Sequence, residues 1–146
     1  QLEQAILKKI RAFLIEMGGN FAFIGNQYRL KVGTKEYSID LLLFHRKLRC
    51  LVAIELKIVE FEPEHKGKME FYLSVLNDQM KLAEENDAIG IIICKTKDKT
   101  VVQYALKSTT QPIGVASYTL TSNLPADFLG LLPSAEDIRE RLTGLE

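Results

Sequence analysis

Apolar and polar residues follow two different periods along this chain, and each period predicts a type of secondary structure. Apolar residues recur every three or four positions between Leu2 and Met17, which is the spacing of an amphipathic helix. The segment from Tyr28 to Val32 instead alternates with period two, as a half-buried strand does. These periods predict helices over 2–17, 63–85 and 98–107, and strands over 21–24, 28–32, 37–44, 49–58, 88–94 and 112–118.

The order of these predicted elements indicates the fold class. The early strands follow one another through short turns such as Gly33-Thr34, which predicts an antiparallel meander. The later strands alternate with helices, which is typical of parallel strands joined by crossovers. We therefore expect one α/β domain over 1–146, with a mixed central sheet flanked by helices. Ser134 can cap a last short helix in a C-terminal tail over 125–146.

Composition narrows the class of protein. Hydrophobic residues make up 47% of the 146 residues, which is enough for one core. The 19 basic residues are matched by 19 acidic ones, which argues against a protein that coats nucleic acid by bulk charge but does not exclude a nuclease. Cys50 and Cys94 lie in apolar runs without metal-ligand spacing, which is typical of core thiols in a reducing compartment.

The apolar runs of the chain and its first residue bear on the location of the protein and on whether the chain is a fragment. No signal-peptide pattern and no apolar run of transmembrane length occurs, so we expect a cytoplasmic protein without membrane contact. The chain starts at Gln1, directly inside a helical pattern, where a natural start would carry Met. We therefore expect a fragment of a longer protein.

Three charged residues interrupt two neighbouring strands that are otherwise strongly apolar. Asp40 lies in the predicted strand over 37–44, and Glu55 and Lys57 lie in the next strand, over 49–58. A charged group in the middle of an apolar strand is costly unless something compensates it. Such a cluster indicates either a functional site or a buried ion cluster without activity, and the spacing alone favours neither.

The relative position of these charges follows from the turn between the two strands. A two-residue turn at Arg46-Lys47 would place Asp40 opposite Ala53, with Glu55 as its diagonal neighbour on the same face. Backbone separations of roughly 7–8 Å would then let both carboxylates reach one cation. A turn longer or shorter by an odd number of residues would place Asp40 and Glu55 on opposite faces of the sheet. Adjacent carboxylates repel each other, and oxygen ligands favour Mg²⁺ or Mn²⁺ over Zn²⁺.

An Asp on one strand and a Glu-x-Lys element on the next, here Asp40 and Glu55-Leu56-Lys57, resemble the PD-(D/E)xK nuclease superfamily. The predicted order of helix, strand meander, helix and strand also matches the core of that superfamily. Several further stretches resemble the C-terminal domain of the bacterial YhcG-type nucleases, a likeness that runs from about residue 2 to 133. They are FAFIG (21–25), QYRL (27–30), IDLL (39–42), LRCLVAIELK (48–57), MEFYLS (69–74) and PIGVA (112–116).

This resemblance implies a restriction-endonuclease-like fold, nuclease activity, and an N-terminal domain that is missing from this chain. It also implies that Mg²⁺ or Mn²⁺ is held by Asp40, Glu55 and the Leu56 carbonyl oxygen, with Glu3 of the first helix as a further ligand. Lys57 would stabilise charge on the attacked phosphate or orient the attacking water.

The helix after the lysine strand departs from one pattern of the superfamily. RecB-like members carry a Gln-x-x-x-Tyr element there, and Tyr72 matches its tyrosine, whereas Lys68 occupies the position of the glutamine. Lys68 is then either a phosphate contact or the mark of a weakened site.

Two further groups are candidates for supporting roles. Gln27 lies on a strand near the predicted hairpin and can support the metal site, although an ordinary strand position explains it equally well. Arg46, Lys47 and Arg49 form a basic hairpin tip that can contact a DNA backbone or remain solvated.

We therefore expect an endo- or exonuclease that depends on Mg²⁺ or Mn²⁺ and hydrolyses phosphodiester bonds, in DNA rather than RNA. Two other functions stay open. One is a domain of nuclease fold that binds DNA or a protein partner without cutting. The other is a self-associating domain, for example a homodimer, in which the basic hairpin serves the oligomer.

Overall fold

The computed structural model describes residues 2–16 and 19–117. None of the helices in these residues is long and apolar enough to cross a bilayer. The predicted tail over 125–146 and its helix after Ser134 lie outside the described residues. The helices are α1 (Leu2–Glu16), α2 (Pro63–Gln79) and α3 (Lys99–Lys107), and the strands are β1 (Phe21–Val32), β2 (Lys35–His45), β3 (Cys50–Glu60), β4 (Asn86–Thr96) and β5 (Ile113–Ser117).

The five strands form one mixed sheet in the order β1-β2-β3-β4-β5. The first three strands pair antiparallel through short connections, whereas β3, β4 and β5 pair parallel through α2 and α3. Because both crossovers advance in the same direction, right-handed connections place both helices on one face of the sheet. α1 packs on the opposite face. This architecture confirms the predicted α/β fold with its meander, parallel strands and flanking helices.

Alternate residues of the central strands supply two hydrophobic cores, one on each face. Ile10 and Leu14 of α1 pack with Val52 of β3, and α2 covers Ala53 on the other face. β4 is buried on both faces over 88–94, which explains why its apolar run shows no alternation. The sheet is therefore held from both sides, and its inner strands are shielded from water.

Polar caps start α2 and α3 where the sequence predicts them. The Glu62 amide donates to His65 Nδ1 at 3.0 Å, and Pro63 occupies the first turn, where its missing N–H is not needed. Asp98 accepts the amides of Thr100 and Val101 through one carboxylate oxygen. Both predicted helix starts are confirmed.

α2 ends at Gln79, six residues before its predicted end at Glu85. The chain turns back here because the Asn77 side chain accepts the backbone amide of Ala88 at 2.8 Å, which fixes the start of β4 beside α2. The helical spacing of apolar residues continues to Leu82, but that side chain is exposed. The sequence pattern therefore extends beyond the helix.

The predicted strands over 21–24 and 28–32 are one continuous strand, β1. Its register against β2 shifts between Phe23 and Gly25, and Gln27 adopts a positive φ of 43°. This irregular middle lacks a regular alternation, which is why the pattern divides the strand in two.

The β2–β3 connection has four residues, 46–49, instead of the predicted two-residue turn. Arg49 closes it with a positive φ of 55°. The register shifts by two, so that Ala53 lies opposite Leu42 and not opposite Asp40 as predicted. Because the change is even, it preserves the face to which each side chain of β3 points.

Gly90 of β4 lies against α2 without space for a side chain. A Cβ atom there would approach Met69 Cγ to 2.6 Å and Leu73 Cδ1 to 3.3 Å. We expect Gly90→Ala to lower the free energy of unfolding by about 1–3 kcal/mol through overpacking, as measured by urea denaturation. Gly67→Ala is the control, because nothing lies within 4 Å of its added Cβ, and it should raise that free energy by up to about 1 kcal/mol. Equal effects would contradict the close contact between α2 and β4.

Candidate active site

The backbone pairing of β2 with β3 ends at Leu41 and Ile54, just before the predicted charged cluster. Side chains make the connection beyond this point. The Asp40 amide donates to Glu55 Oε2 at 2.7 Å, and the Leu56 amide donates to Asp40 Oδ2 at 2.9 Å. The two carboxylates therefore lie side by side where the two strands separate.

β2 changes the face to which its side chains point at Asp40. Ile39, before this residue, and Leu42 and Phe44, after it, all belong to the core beneath α2. Leu41 belongs to the core beneath α1. Since Ile39 and Leu42 are an odd number of residues apart, the two-residue alternation is broken between them. The break lets the Asp40 carboxylate reach the edge of β3.

Glu55 is the buried member of the pair, with 5% of its surface exposed. Burial, and then the negative charge of Asp40, raises the pKa of Glu55 to about 7. The positive charges of Lys57 and Lys68 lower this pKa but do not offset burial. A carboxyl group with such a pKa can exchange its proton for a cation near neutral pH.

Lys57 lies two residues after Glu55, so the alternation of β3 places both side chains on one face. Its Nζ is 3.8 Å from Glu55 Oε1, and its side chain is 27% exposed. The distance is long for an ion pair, so the ammonium can also approach another anion. The structure thus brings together Asp40, Glu55 and Lys57, as the sequence predicts, although Asp40 and Glu55 are direct rather than diagonal neighbours.

Two residues of α2 cover one side of the site. The Tyr72 hydroxyl donates to the Ser38 carbonyl oxygen at 3.2 Å, and burial, followed by the charges of Glu55 and Asp40, raises the pKa of Tyr72. Lys68 Nζ lies 5.8 Å from the centre of the Tyr72 ring, within cation–π distance. Lys68 is exposed, so it adds positive charge at the rim of the site.

Gln27 contacts the site from β1, on the other side of β2. Its Nε2 donates to Asp40 Oδ1 at 3.2 Å, and its Oε1 accepts from Ser38 Oγ at 3.1 Å. Ser38 is missing from the residues that the sequence predicts. The one signal that could have identified it is its position two residues before Asp40 on the same strand.

Glu3 does not join this pair of carboxylates. It is exposed in the first turn of α1, which packs on the opposite face of the sheet from α2. Within 2–16 and 19–117, no three His, Cys, Asp or Glu side chains are grouped closely enough to hold a metal ion. The structure therefore gives the site two carboxylates and no third acidic ligand from the described residues.

The basic hairpin lies away from the site, roughly 17 Å along β2 from Asp40. Arg46 donates to the Gly19 carbonyl oxygen at 3.1 Å, and Arg49 donates to that of Glu84 at 2.6 Å. These bonds tie the loop to neighbouring segments of the protein. A contact between the hairpin and DNA stays a prediction.

The oxygen atoms at this site fit a hard divalent cation. The carboxylates of Asp40 and Glu55 converge, and the Leu56 carbonyl points to the same edge of β3 as the amide that binds Asp40. Mg²⁺ and Mn²⁺ prefer oxygen ligands, and Mg²⁺ commonly uses one or two protein carboxylates and keeps several waters. Two carboxylates and one carbonyl oxygen are therefore a sufficient protein contribution.

Comparison with known proteins connects this geometry to a family. A family model described as the YhcG PDDEXK nuclease domain matches residues 1–133. The chain belongs to this family. A protein of Escherichia coli (strain K12) named "Putative nuclease YhcG" is 34% identical over 118 residues. That match covers 81% of this chain and 32% of the relative, so the YhcG-type domain described here spans about a third of the relative's length.

Two solved structures share the fold of this YhcG-type domain. The complex named "Structure of EndoMS-dsDNA2 complex" has a TM-score of 0.56 at 16% identity and covers 81% of this chain and 44% of its own. A repair endonuclease from Pyrococcus abyssi has a TM-score of 0.51 at 11% identity, with coverage of 77% and 46%. At these identities the likeness shows the fold alone, and it confirms the predicted restriction-endonuclease-like core.

The buried Glu55 should make the metal-free domain less stable as the pH rises. Its pKa is about 7 in the folded protein, against an ordinary value of 4.5, so the folded state binds more protons between these values. The stabilisation is complete below the ordinary value and is lost as the pH rises through about 7. The shift corresponds to roughly 3 kcal/mol at most. Urea denaturation in EDTA at a series of pH values measures this loss.

Two variants isolate the contribution of Glu55. Glu55→Gln keeps an oxygen acceptor for the Asp40 amide, and it should be more stable than wild type at about pH 8 and lack this component of the pH dependence. Glu36→Gln, at the exposed start of β2, should keep the wild-type profile. A Glu55→Gln profile parallel to that of wild type from about pH 5 to 8 would contradict the raised pKa.

Proposed function

We propose that this domain is a divalent-cation-dependent nuclease that hydrolyses phosphodiester bonds in DNA at Asp40, Glu55 and Lys57. The observation that carries the proposal is the pairing of two carboxylates at the end of the β2–β3 ladder, with an ammonium group beside them. Family membership supports the same reading, because the family is described as a nuclease domain. The activity and partners of the longer protein are part of the proposal.

Asp40, Glu55 and the Leu56 carbonyl would hold the cation, Mg²⁺ or Mn²⁺. The bound cation would polarise a phosphate oxygen and lower the pKa of a bound water, which is the chemistry that phosphodiester hydrolysis needs. The protein contributes a fixed arrangement of oxygen atoms. The Leu56 amide holds one carboxylate, and the Asp40 amide holds the other.

Lys57 supplies positive charge where a phosphate would approach the carboxylate pair. Its side chain is partly exposed and lies on the same face as Glu55, so it can contact a bound phosphate without a change of backbone conformation. Lys68 at the rim adds a second positive charge, which favours an anionic substrate.

DNA is the substrate that the comparisons favour. The complex with TM-score 0.56 contains double-stranded DNA according to its name. The proposed site is formed within one chain, so the reaction does not require a homodimer. We infer a cytoplasmic location, since such an enzyme would meet nucleic acid there.

Substitution of the proposed catalytic residues tests this function. We expect Asp40→Asn and Lys57→Met to reduce cleavage of plasmid DNA in Mg²⁺ or Mn²⁺ by at least about a hundredfold. Asp40→Asn removes a charge that holds the cation, and Lys57→Met removes the positive charge beside the reacting phosphate. Cleavage is followed on gels, and circular dichroism confirms that each variant is folded. Asp78→Asn and Lys31→Met make the same chemical changes at exposed positions and should cut at the wild-type rate. Retained cleavage in either site variant would refute the assignment.

A domain that binds nucleic acid without cutting is the second candidate. The observation that favours it is Lys68, which replaces the glutamine of RecB-like relatives and faces the Tyr72 ring.

Calorimetric titration of the wild-type domain with Mn²⁺ separates the two candidates. The nuclease proposal predicts binding in the millimolar range or tighter, lost in Asp40→Asn, because the carboxylate pair provides the ligands. DNA binding without any Mn²⁺ binding or cleavage would favour the second candidate. Asp78→Asn is again the matched control.

A further inference from the structure

Gln27 has a backbone conformation that is uncommon for its residue type. Its φ of 43° lies in the left-handed region, which mainly glycine, asparagine and aspartate adopt. The register of β1 against β2 is the same at Asn26 and at Tyr28, so Gln27 lies opposite Asp40, although these two residues do not form a ladder pair. Strain of this kind persists where surrounding contacts determine it, and it is concentrated at functional sites.

The Gln27 side chain engages both of its polar atoms at the site. Nε2 donates to Asp40 Oδ1, and Oε1 accepts from Ser38 Oγ. The carbonyl oxygen of Ser38 accepts from the Tyr72 hydroxyl at 3.2 Å. Because a carboxylate only accepts hydrogen bonds, it is the amide nitrogen that faces Asp40, and the serine hydroxyl then donates to the amide oxygen on the other side. A continuous series of hydrogen bonds thus links α2, β2 and β1 to one carboxylate.

The Asp40 carboxylate is consequently held at both oxygen atoms. Leu56 binds Oδ2 from β3, and Gln27 binds Oδ1 from β1. Loss of one anchor would let the carboxylate rotate away from Glu55, since the two negative groups repel each other.

We propose that Gln27 is a positioning residue that holds the Asp40 carboxylate against the Leu56 amide, in the orientation that lets it share a cation with Glu55. The cation itself rests on the proposed function, whereas the orientation of the carboxylate does not. Hydrogen bonds from outside the ligand shell commonly fix the orientation and basicity of metal-binding groups. Gln27 acts through Asp40 and has no direct role in the chemistry.

Gln27→Gly separates the role of the side chain from that of the backbone. Glycine adopts a positive φ without steric cost, so the backbone conformation at position 27 is retained and only the side chain is lost. Ser38→Ala removes the hydroxyl that donates to the Gln27 amide oxygen, and Ser38→Thr keeps a hydroxyl. Gln79→Ala is the control, because it also removes a side-chain amide that binds β1. Gln79 Nε2 donates to the Lys31 carbonyl oxygen at 3.0 Å.

Two measurements are made on each variant. Hydrogen exchange of the Leu56 amide, followed by NMR on metal-free protein, reports whether Asp40 still accepts that bond. The dissociation constant for Mn²⁺, from EPR titration, reports the shared cation. For Gln27→Gly we expect exchange to accelerate about tenfold and the dissociation constant to rise about 10–100-fold. Ser38→Ala should change both in the same direction by less, and Ser38→Thr and Gln79→Ala should match wild type.

The outcomes distinguish this inference from the proposed function. If the Leu56 amide of Gln27→Gly exchanges at the wild-type rate, the positioning role is overturned. It is also overturned if this amide exchanges as fast in Gln79→Ala as in Gln27→Gly, because that result indicates general destabilisation. If wild-type protein neither binds Mn²⁺ nor cuts DNA, the proposed function fails. The exchange of the Leu56 amide then still decides whether Gln27 holds Asp40.

Discussion

The repulsion between two neighbouring carboxylates, at the point where β2 and β3 separate, organises the rest of the site. Asp40 and Glu55 repel each other, and burial adds to the cost of charging Glu55. Two backbone amides offset part of that cost, because each carboxylate accepts one from the opposite strand. Lys57 offsets a further part, because its Nζ lies 3.8 Å from Glu55 Oε1.

This arrangement needs irregular backbone, and a rigid frame surrounds it. The alternation of β2 breaks at Asp40. The neighbouring strand β1 has a positive φ at Gln27, opposite Asp40, and a register shift between Phe23 and Gly25. On both sides the sheet is covered by apolar clusters, one beneath α1 and one beneath α2. These cores fix the strands on either side of the break, so that the break can persist.

Positive charge near the site comes from Lys57 on β3 and Lys68 on α2, and not from the basic hairpin. Arg46 and Arg49 bind backbone carbonyl oxygens at the far end of β2. Lys57 and Lys68 both act on Glu55. The departure of Lys68 from the RecB-like pattern therefore has a physical consequence, since it replaces a neutral amide by a cation within reach of the carboxylate pair.

The order of elements, the mixed sheet and the cluster of Asp40, Glu55 and Lys57 follow from the sequence by itself. They depend on local periods of apolar residues. The β2–β3 loop has four residues instead of the predicted two, and this even difference leaves the face of each side chain of β3 unchanged. The tertiary structure alone decided where α2 ends, that β1 is continuous, and which atoms Gln27 and Ser38 bind beside Asp40. These features depend on contacts between residues far apart in the chain, such as the Asn77 side chain with the Ala88 amide. The period of apolar residues carries no information about such contacts. The break in the alternation of β2 at Asp40 becomes visible only when the core on each face of the sheet is known.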